Sequence, residues 1–160
     1  MTTESKKTIF LIPGASPKAA RIFFDAINTS LKPEFEIIEL ERADERDLLS
    51  RVKNVKLKIL VGKSAGGRIA VNYQFENKDA QALVLLAPGT RSDNRLSQIQ
   101  VPILIVHGTK DNVIPLENSR KIAKLFKNCK LVEIPGIGHS FEGKESEIAE
   151  IIKEWIISLH

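Results

Sequence analysis

The stretch Leu57-Lys58-Ile59-Leu60-Val61-Gly62-Lys63-Ser64-Ala65-Gly66-Gly67 decides how this chain is read. Its first five residues are a short apolar run that reads as a strand over 57–61, and residues 65–76 carry a helical period. Between them, Gly62-x-Ser64-x-Gly66 is a turn so tight that its serine takes strained backbone geometry. Side chains two positions away on either side would collide, hence the two glycines. The turn lifts the Ser64 hydroxyl above the carboxyl end of the sheet, where open α/β folds place their ligands, and the following helix aims its free N–H groups at the same point. Composition alone yields the pattern in about 0.03 of chains of this make-up. Two plainer readings compete: small residues that only allow close packing with Ser64 as a helix N-cap, and a phosphate-binding loop. The second needs a glycine five positions before Gly62, where Leu57 stands, so it fails.

Working outward, similar apolar runs fall at 8–12, 36–40, 82–86, 102–106 and 130–134, each ending at a turn signal. Helical candidates alternate with them at 17–30, 43–53, 65–76, 116–127 and 144–158, with Pro17 suited to a first turn. Alternation of buried strands with helices predicts a three-layer α/β/α sandwich on a mostly parallel six-stranded sheet, in a single domain over 1–160. The last helix is the clearest element: Ile148, Ile151, Ile152, Trp155, Ile156 and Leu159 form one apolar stripe that should pack on the sheet. Residues 87–101 carry turn formers and little periodicity, so they read as a loop with at most one short helical turn.

The bulk properties agree with one sizeable core. The chain has 160 residues, 42% hydrophobic and 28% charged, which excludes disordered, collagenous and coiled-coil classes. A formal charge of +4 raises the question of a nucleic-acid partner. The basic residues gather at Arg51, Lys53, Lys56 and Lys58 and at Arg120, Lys121, Lys124, Lys127 and Lys130, the second set reading as a solvated helix face. No aromatic-rich basic stretch accompanies them, so no nucleic acid is expected. No membrane partner is expected either: Glu145, Glu147, Glu150 and Glu154 would be repelled by anionic lipid, and the apolar run Ile9–Ile12 is too short for a span or a signal core. Cys129 is the only cysteine, which excludes an intrachain disulfide and a Cys-rich zinc site and suits a cytoplasmic location.

A serine hydroxyl is a poor nucleophile without a base to take its proton and an acid to hold that base in the right tautomer. The histidines are His107, His139 and His160. His139 lies in the Gly-rich segment Pro135-Gly136-Ile137-Gly138-His139, after the last strand and able to lean over its carboxyl edge, and is the predicted base. His107 ends a strand and reads as a structural hydrogen-bonding group under the acid loop, and His160 as a frayed chain end. Asp111, in the turn after the 102–106 strand, is the predicted acid, with Asp93 as the alternative. An oxyanion hole is the remaining requirement. Ala65 would give one backbone N–H, and the loop Pro13-Gly14-Ala15-Ser16 the other, through Ala15 or its neighbour Ser16. The competing reading makes Pro13-Gly14 only a strand-ending turn.

These stretches together resemble the α/β-hydrolase superfamily, in the style of a compact serine hydrolase of the dienelactone-hydrolase-like branch. The matching segments are Pro13-Gly14-Ala15, Gly62-Lys63-Ser64-Ala65-Gly66-Gly67, His107-Gly108-Thr109-Lys110-Asp111-Asn112-Val113-Ile114-Pro115 and Gly138-His139-Ser140-Phe141. The order Ser64, Asp111, His139 along the chain is the nucleophile-acid-base order of that superfamily. The resemblance implies a reduced form lacking the larger family's first two strands and its cap domain, with a site open to water. Ser64 stands where dienelactone hydrolases use cysteine, so their reaction is not carried over, and Pro13 replaces a histidine often found before the oxyanion glycine. The expected activity is hydrolysis of small carboxylic esters or thioesters, with no metal or organic cofactor. A non-catalytic binding or scaffold module and an acyltransferase are the alternatives. Lys63 and Arg68 flank Ser64 and are candidates for a substrate carboxylate; the plainer reading makes Lys63 a surface charge and Arg68 half of a salt bridge.

Overall fold

The computed structural model describes residues 6–159, so His160 lies outside the described residues. The elements are β1 (Thr8–Ile12), α1 (Pro17–Leu31), β2 (Glu36–Glu39), α2 (Glu45–Val52), β3 (Lys58–Lys63), α3 (Ala65–Asn77), β4 (Ala82–Leu86), β5 (Ile103–Gly108), α4 (Leu116–Leu125), β6 (Cys129–Ile134) and α5 (Glu145–Ser158). One short 3₁₀ helix, Asn94–Gln98, interrupts the connection from β4 to β5, and no cap lies there.

The strands pair in the order β2-β1-β3-β4-β5-β6, every pair parallel. Their side chains alternate between two cores, as a period of two requires. Ile9 and Leu11, Ile59 and Val61, and Val84 and Leu86 pack with α1 and α5, whereas Phe10 and Ile12, Leu60, Leu83 and Leu85 pack with α2, α3 and α4. Strands buried on both faces need continuous apolar runs, which is why the sequence does not alternate there. The predicted stripe of α5 does lie against the sheet, with Ile148, Ile152 and Ile156 fully buried beside Phe23, Phe24 and Ile27 of α1. Full burial of a side chain of this size is worth about 1.5–3 kcal/mol.

The strand order also decides where a site can form. Right-handed crossovers carry α1 to one face, because β2 lies on one side of β1, and α2, α3 and α4 to the other, because the later strands add on the opposite side. The connections leaving β1 and β3, which are neighbours, therefore part at the carboxyl edge and leave a crevice. The turn after β3 carries Ser64.

Several boundaries differ from expectation by one or two residues, and two of them for visible reasons. β3 continues past residue 61 because Gly62 and Lys63 stay in register with Leu85 and Leu86 of β4. α4 stops at Leu125 because Phe126 turns extended, which buries its ring in the core.

Candidate active site

Ser64 sits between β3 and α3 with φ 55° and ψ −117°, a conformation that costs a non-glycine residue about 1–3 kcal/mol and persists only when its surroundings over-determine it. They do. The Ser64 N–H donates to Leu86 O at 2.8 Å, and its carbonyl accepts from Gly67 N–H at 3.0 Å and Gly89 N–H at 3.1 Å. A Cβ at Gly62 would stand 2.3 Å from Gly66 O, and one at Gly66 would stand 2.2 Å from Ile12 O. The two glycines are thus required by backbone packed on backbone. Ser64 makes no side-chain cap to α3, so the N-cap reading does not describe it. Its hydroxyl is left for another partner.

That partner is His139. Its Nε2 is 3.2 Å from Ser64 Oγ, and its Nδ1 is 2.7 Å from Asp111 Oδ2. An ionised carboxylate only accepts, so Nδ1 carries the proton and Nε2 turns its lone pair toward the serine hydroxyl. Asp111 is held in turn from three sides. Its Oδ1 accepts the Val113 N–H at 2.9 Å and the Ile114 N–H at 2.8 Å, and its Oδ2 lies 3.2 Å from His107 Nε2. Burial pushes the Asp111 carboxyl up, but the hydrogen bonds from His139 and these amides outweigh it and hold the carboxyl below its usual range. The side chains of Asp111 and His107 are fully buried, while that of His139 keeps 16% exposure, so the ring faces the opening.

His107 has the structural place expected of it. Ile114 O can only accept, so Nε2 donates to it at 2.8 Å, and Nδ1 accepts from the Ser119 hydroxyl at 2.6 Å. The buried ring thereby fixes the turn that carries Asp111. Gly108 lets the acid and base loops meet, since a Cβ there would be 2.2 Å from Ile137 O, and the Lys110 N–H donates to that same carbonyl at 2.9 Å. Phe141, fully buried at φ 55°, stacks on Phe23 at 5.5 Å and anchors the base loop two residues beyond His139.

The other predicted residues are placed as follows. Ala65 opens α3, where an amide has no intrahelical acceptor. Ala15 and Ser16 are exposed in the loop after β1, which packs on the serine: a Cβ at Gly14 would be 3.1 Å from Ser64 Cβ. Asp93 caps the 3₁₀ helix and pairs with Arg95 at 3.0 Å, so it is occupied elsewhere. Lys63 is not a surface charge: it is only 4% exposed, with its ammonium 5.9 Å from the Phe141 ring centroid. Burial lowers its pKa, and the nearby Asp111 carboxylate offsets part of that. Arg68 is exposed and makes no salt bridge among the described residues, contrary to the plainer expectation. Nothing in the sequence distinguishes Ser119, Thr90 and Asn118 from ordinary surface polar residues. Among the described residues, no cluster of three or more His, Cys, Asp or Glu could hold a metal ion, and no helix is long and apolar enough to cross a membrane.

The chain has clear relatives. Residues 32–147 match the alpha/beta hydrolase family, and the chain belongs to it. It is 47% identical over 53 residues to the bifunctional esterase/perhydrolase DCH of Acinetobacter calcoaceticus, a match covering 32% of this chain and 19% of that protein. It is 44% identical over 45 residues to a non-heme haloperoxidase of Rhodococcus erythropolis, covering 28% of this chain and 16% of that protein. Each match therefore spans less than a fifth of the relative's length. In structure the chain is similar to Est1E from Butyrivibrio proteoclasticus, with a TM-score of 0.83 at 20% identity over 98% of this chain and 89% of that one. The architecture is the minimal, lidless alpha/beta hydrolase fold that the resemblance implied.

Proposed function

We propose that this protein is a serine hydrolase that cleaves small carboxylic esters or thioesters through an acyl-serine intermediate. The observation that carries the reading is the hydrogen-bonded row Ser64 Oγ to His139 Nε2 at 3.2 Å and His139 Nδ1 to Asp111 Oδ2 at 2.7 Å. Ser64 Oγ attacks the carbonyl carbon while its proton passes to His139 Nε2, and the Asp111 carboxylate stabilises the imidazolium. The developing oxyanion is met by backbone N–H groups of Ala65 and of the Ala15 loop, Ala15 itself or Ser16, at the dipole end of α3. Collapse of the tetrahedral intermediate expels the alcohol or thiol, which takes the proton from His139. Water then attacks the acyl-serine, gives its proton to the same nitrogen, and releases the acid with Ser64 regenerated.

This chemistry draws on the chain's own side chains and calls for no metal or organic cofactor. The open site between the strand-end loops suits a small-molecule partner, and the single, half-buried Cys129 suits a cytoplasmic setting, its thiol pushed up to about 12 by burial. Release of p-nitrophenol from its acetate and butyrate esters by wild type, lost in Ser64→Ala and in His139→Ala, tests the reading. No turnover of short esters or thioesters by the folded wild type leaves the binding-module alternative.

The relatives named esterase/perhydrolase and haloperoxidase favour a second use of the same site, in which hydrogen peroxide replaces water and the acyl-serine yields a peracid. Product analysis with peroxide present separates the two. A product ratio that follows the peroxide concentration identifies transfer.

A further inference from the structure

A cleft of about 220 Å³ lies beside the outer face of α3, one helical turn beyond the nucleophile position. Its floor is apolar, formed by the buried side chains of Val71, Leu96 and Ile99. Its rim carries Arg68, Arg91 and Arg95 against the single acid Asp93. Arg95 is engaged: its guanidinium is 3.0 Å from the Asp93 carboxylate and lies over the Phe75 ring at 5.4 Å. Arg68 and Arg91 have no ion-pair partner among the described residues. Thr90, which also lines the cleft, is 5% exposed, and its buried hydroxyl has no hydrogen-bond partner. A buried hydroxyl without a partner gains when a ligand oxygen reaches it and accepts its proton in a hydrogen bond.

The cleft is tied to Ser64 on both sides. Arg68 follows it by four residues in α3, about 6 Å of helix rise. Thr90 follows Gly89, whose N–H donates to the Ser64 carbonyl, and Asn118 Nδ2 clamps the segment by donating to Pro88 O and Thr90 O at 3.2 Å each. At about 30 Å³ per water-sized group, the space holds roughly seven such groups, enough for a short aliphatic chain and a terminal oxyanion. Guanidinium groups match a carboxylate with two parallel N–H bonds.

We propose that this cleft receives the carboxylate end of a short dicarboxylic half-ester whose other carbonyl sits at Ser64, so that the preferred substrates are anionic on the acyl side. The proposal rests on the reading of Ser64 as the nucleophile. It gives Arg68 the partner that its helix neighbours do not supply.

The test compares kcat/KM for p-nitrophenyl hemiglutarate with that for p-nitrophenyl pentanoate, which has the same chain length and no charge. Wild type should prefer the hemiglutarate by about 10-fold, the value of one charge-assisted hydrogen bond, and added salt should narrow the preference. The double variant Arg68→Gln/Arg91→Gln should lose the preference and its salt dependence, and Thr90→Val should reduce it, while the remote Lys121→Gln should keep it. Turnover of the pentanoate ester without a preference for the hemiglutarate overturns the cleft assignment alone, as does a preference that survives in the double variant. Turnover of neither ester overturns the reading of Ser64, and the proposal falls with it.

Discussion

Replacing Asp111 with Asn exchanges one carboxylate oxygen for an NH₂ group, and the surroundings dictate which one. The Val113 and Ile114 N–H groups both donate to Oδ1, so that position must stay an oxygen. The amide NH₂ is then forced into the Oδ2 position, facing His139 Nδ1 at 2.7 Å. It can only donate there, so Nδ1 must become the acceptor and the ring proton must move to Nε2, where it faces the Ser64 hydroxyl and blocks proton abstraction. The same exchange in a serine-protease triad costs about 10⁴ in kcat, roughly 5.4 kcal/mol on the barrier at 1.36 kcal/mol per tenfold. Asp111→Asn is therefore expected to lower kcat for p-nitrophenyl acetate by about 10⁴ with KM within about twofold, because the side chain of residue 111 is fully buried and offers the substrate no contact. Far-ultraviolet circular dichroism and the melting curve establish that the variant is folded. A folded variant retaining kcat within about tenfold of wild type would refute the argument that this carboxylate sets the tautomer.

Three further perturbations test how the structure is held together. Gly66→Ala drives a Cβ to 2.2 Å from Ile12 O, so backbone must move; a loss of about 3 kcal/mol, or roughly 6–12 °C in Tm, is expected, against little change for Gly138→Ala, whose Cβ meets only Lys110 O at 3.8 Å. Lys63→Met removes a buried ammonium whose pKa burial lowers, so it should raise Tm at neutral pH. Its advantage should shrink as pH climbs through the lowered folded pKa toward the ordinary lysine value, because the wild-type lysine then sheds the charge that folding penalises. Asp79 is pushed up by burial but held below its usual range on balance by hydrogen bonds from Lys58 and Tyr73. A depressed carboxyl stabilises above its unfolded pKa and loses that contribution as pH falls through the folded one, so Asp79→Asn should lower Tm at neutral pH, and the gap should close as pH falls through that lowered value. A constant gap across the acid range would contradict that ion-pair account.

The parts of the fold that a linear pattern can carry were legible in the sequence. The α5 stripe at helical spacing, the apolar strand runs, and the two glycines around Ser64 each encode a local requirement that does not depend on distant residues. The convergence of Ser64, Asp111 and His139 was legible because each follows a strand, and a parallel sheet brings all strand ends to one edge. Lys63 was not. Its burial follows from β3 running two residues further and from Phe141 covering it, and both are tertiary facts. Ser119 is equally silent, since a serine in an amphipathic helix reads as surface until His107 is known to lie beneath it. The missing salt bridge of Arg68 was readable in principle: the positions three and four residues away are Ser64, Ala65, Val71 and Asn72, and none is acidic.

The central claim is that Ser64 is activated by His139, and covalent trapping tests it most directly. Folded wild-type protein treated with a fluorophosphonate should gain one adduct by intact mass, mapped to Ser64 by peptide analysis, with none on Ser64→Ala and strongly slowed labelling on His139→Ala. Wild type that stays unmodified, or an adduct that persists at the same rate in Ser64→Ala, would contradict it.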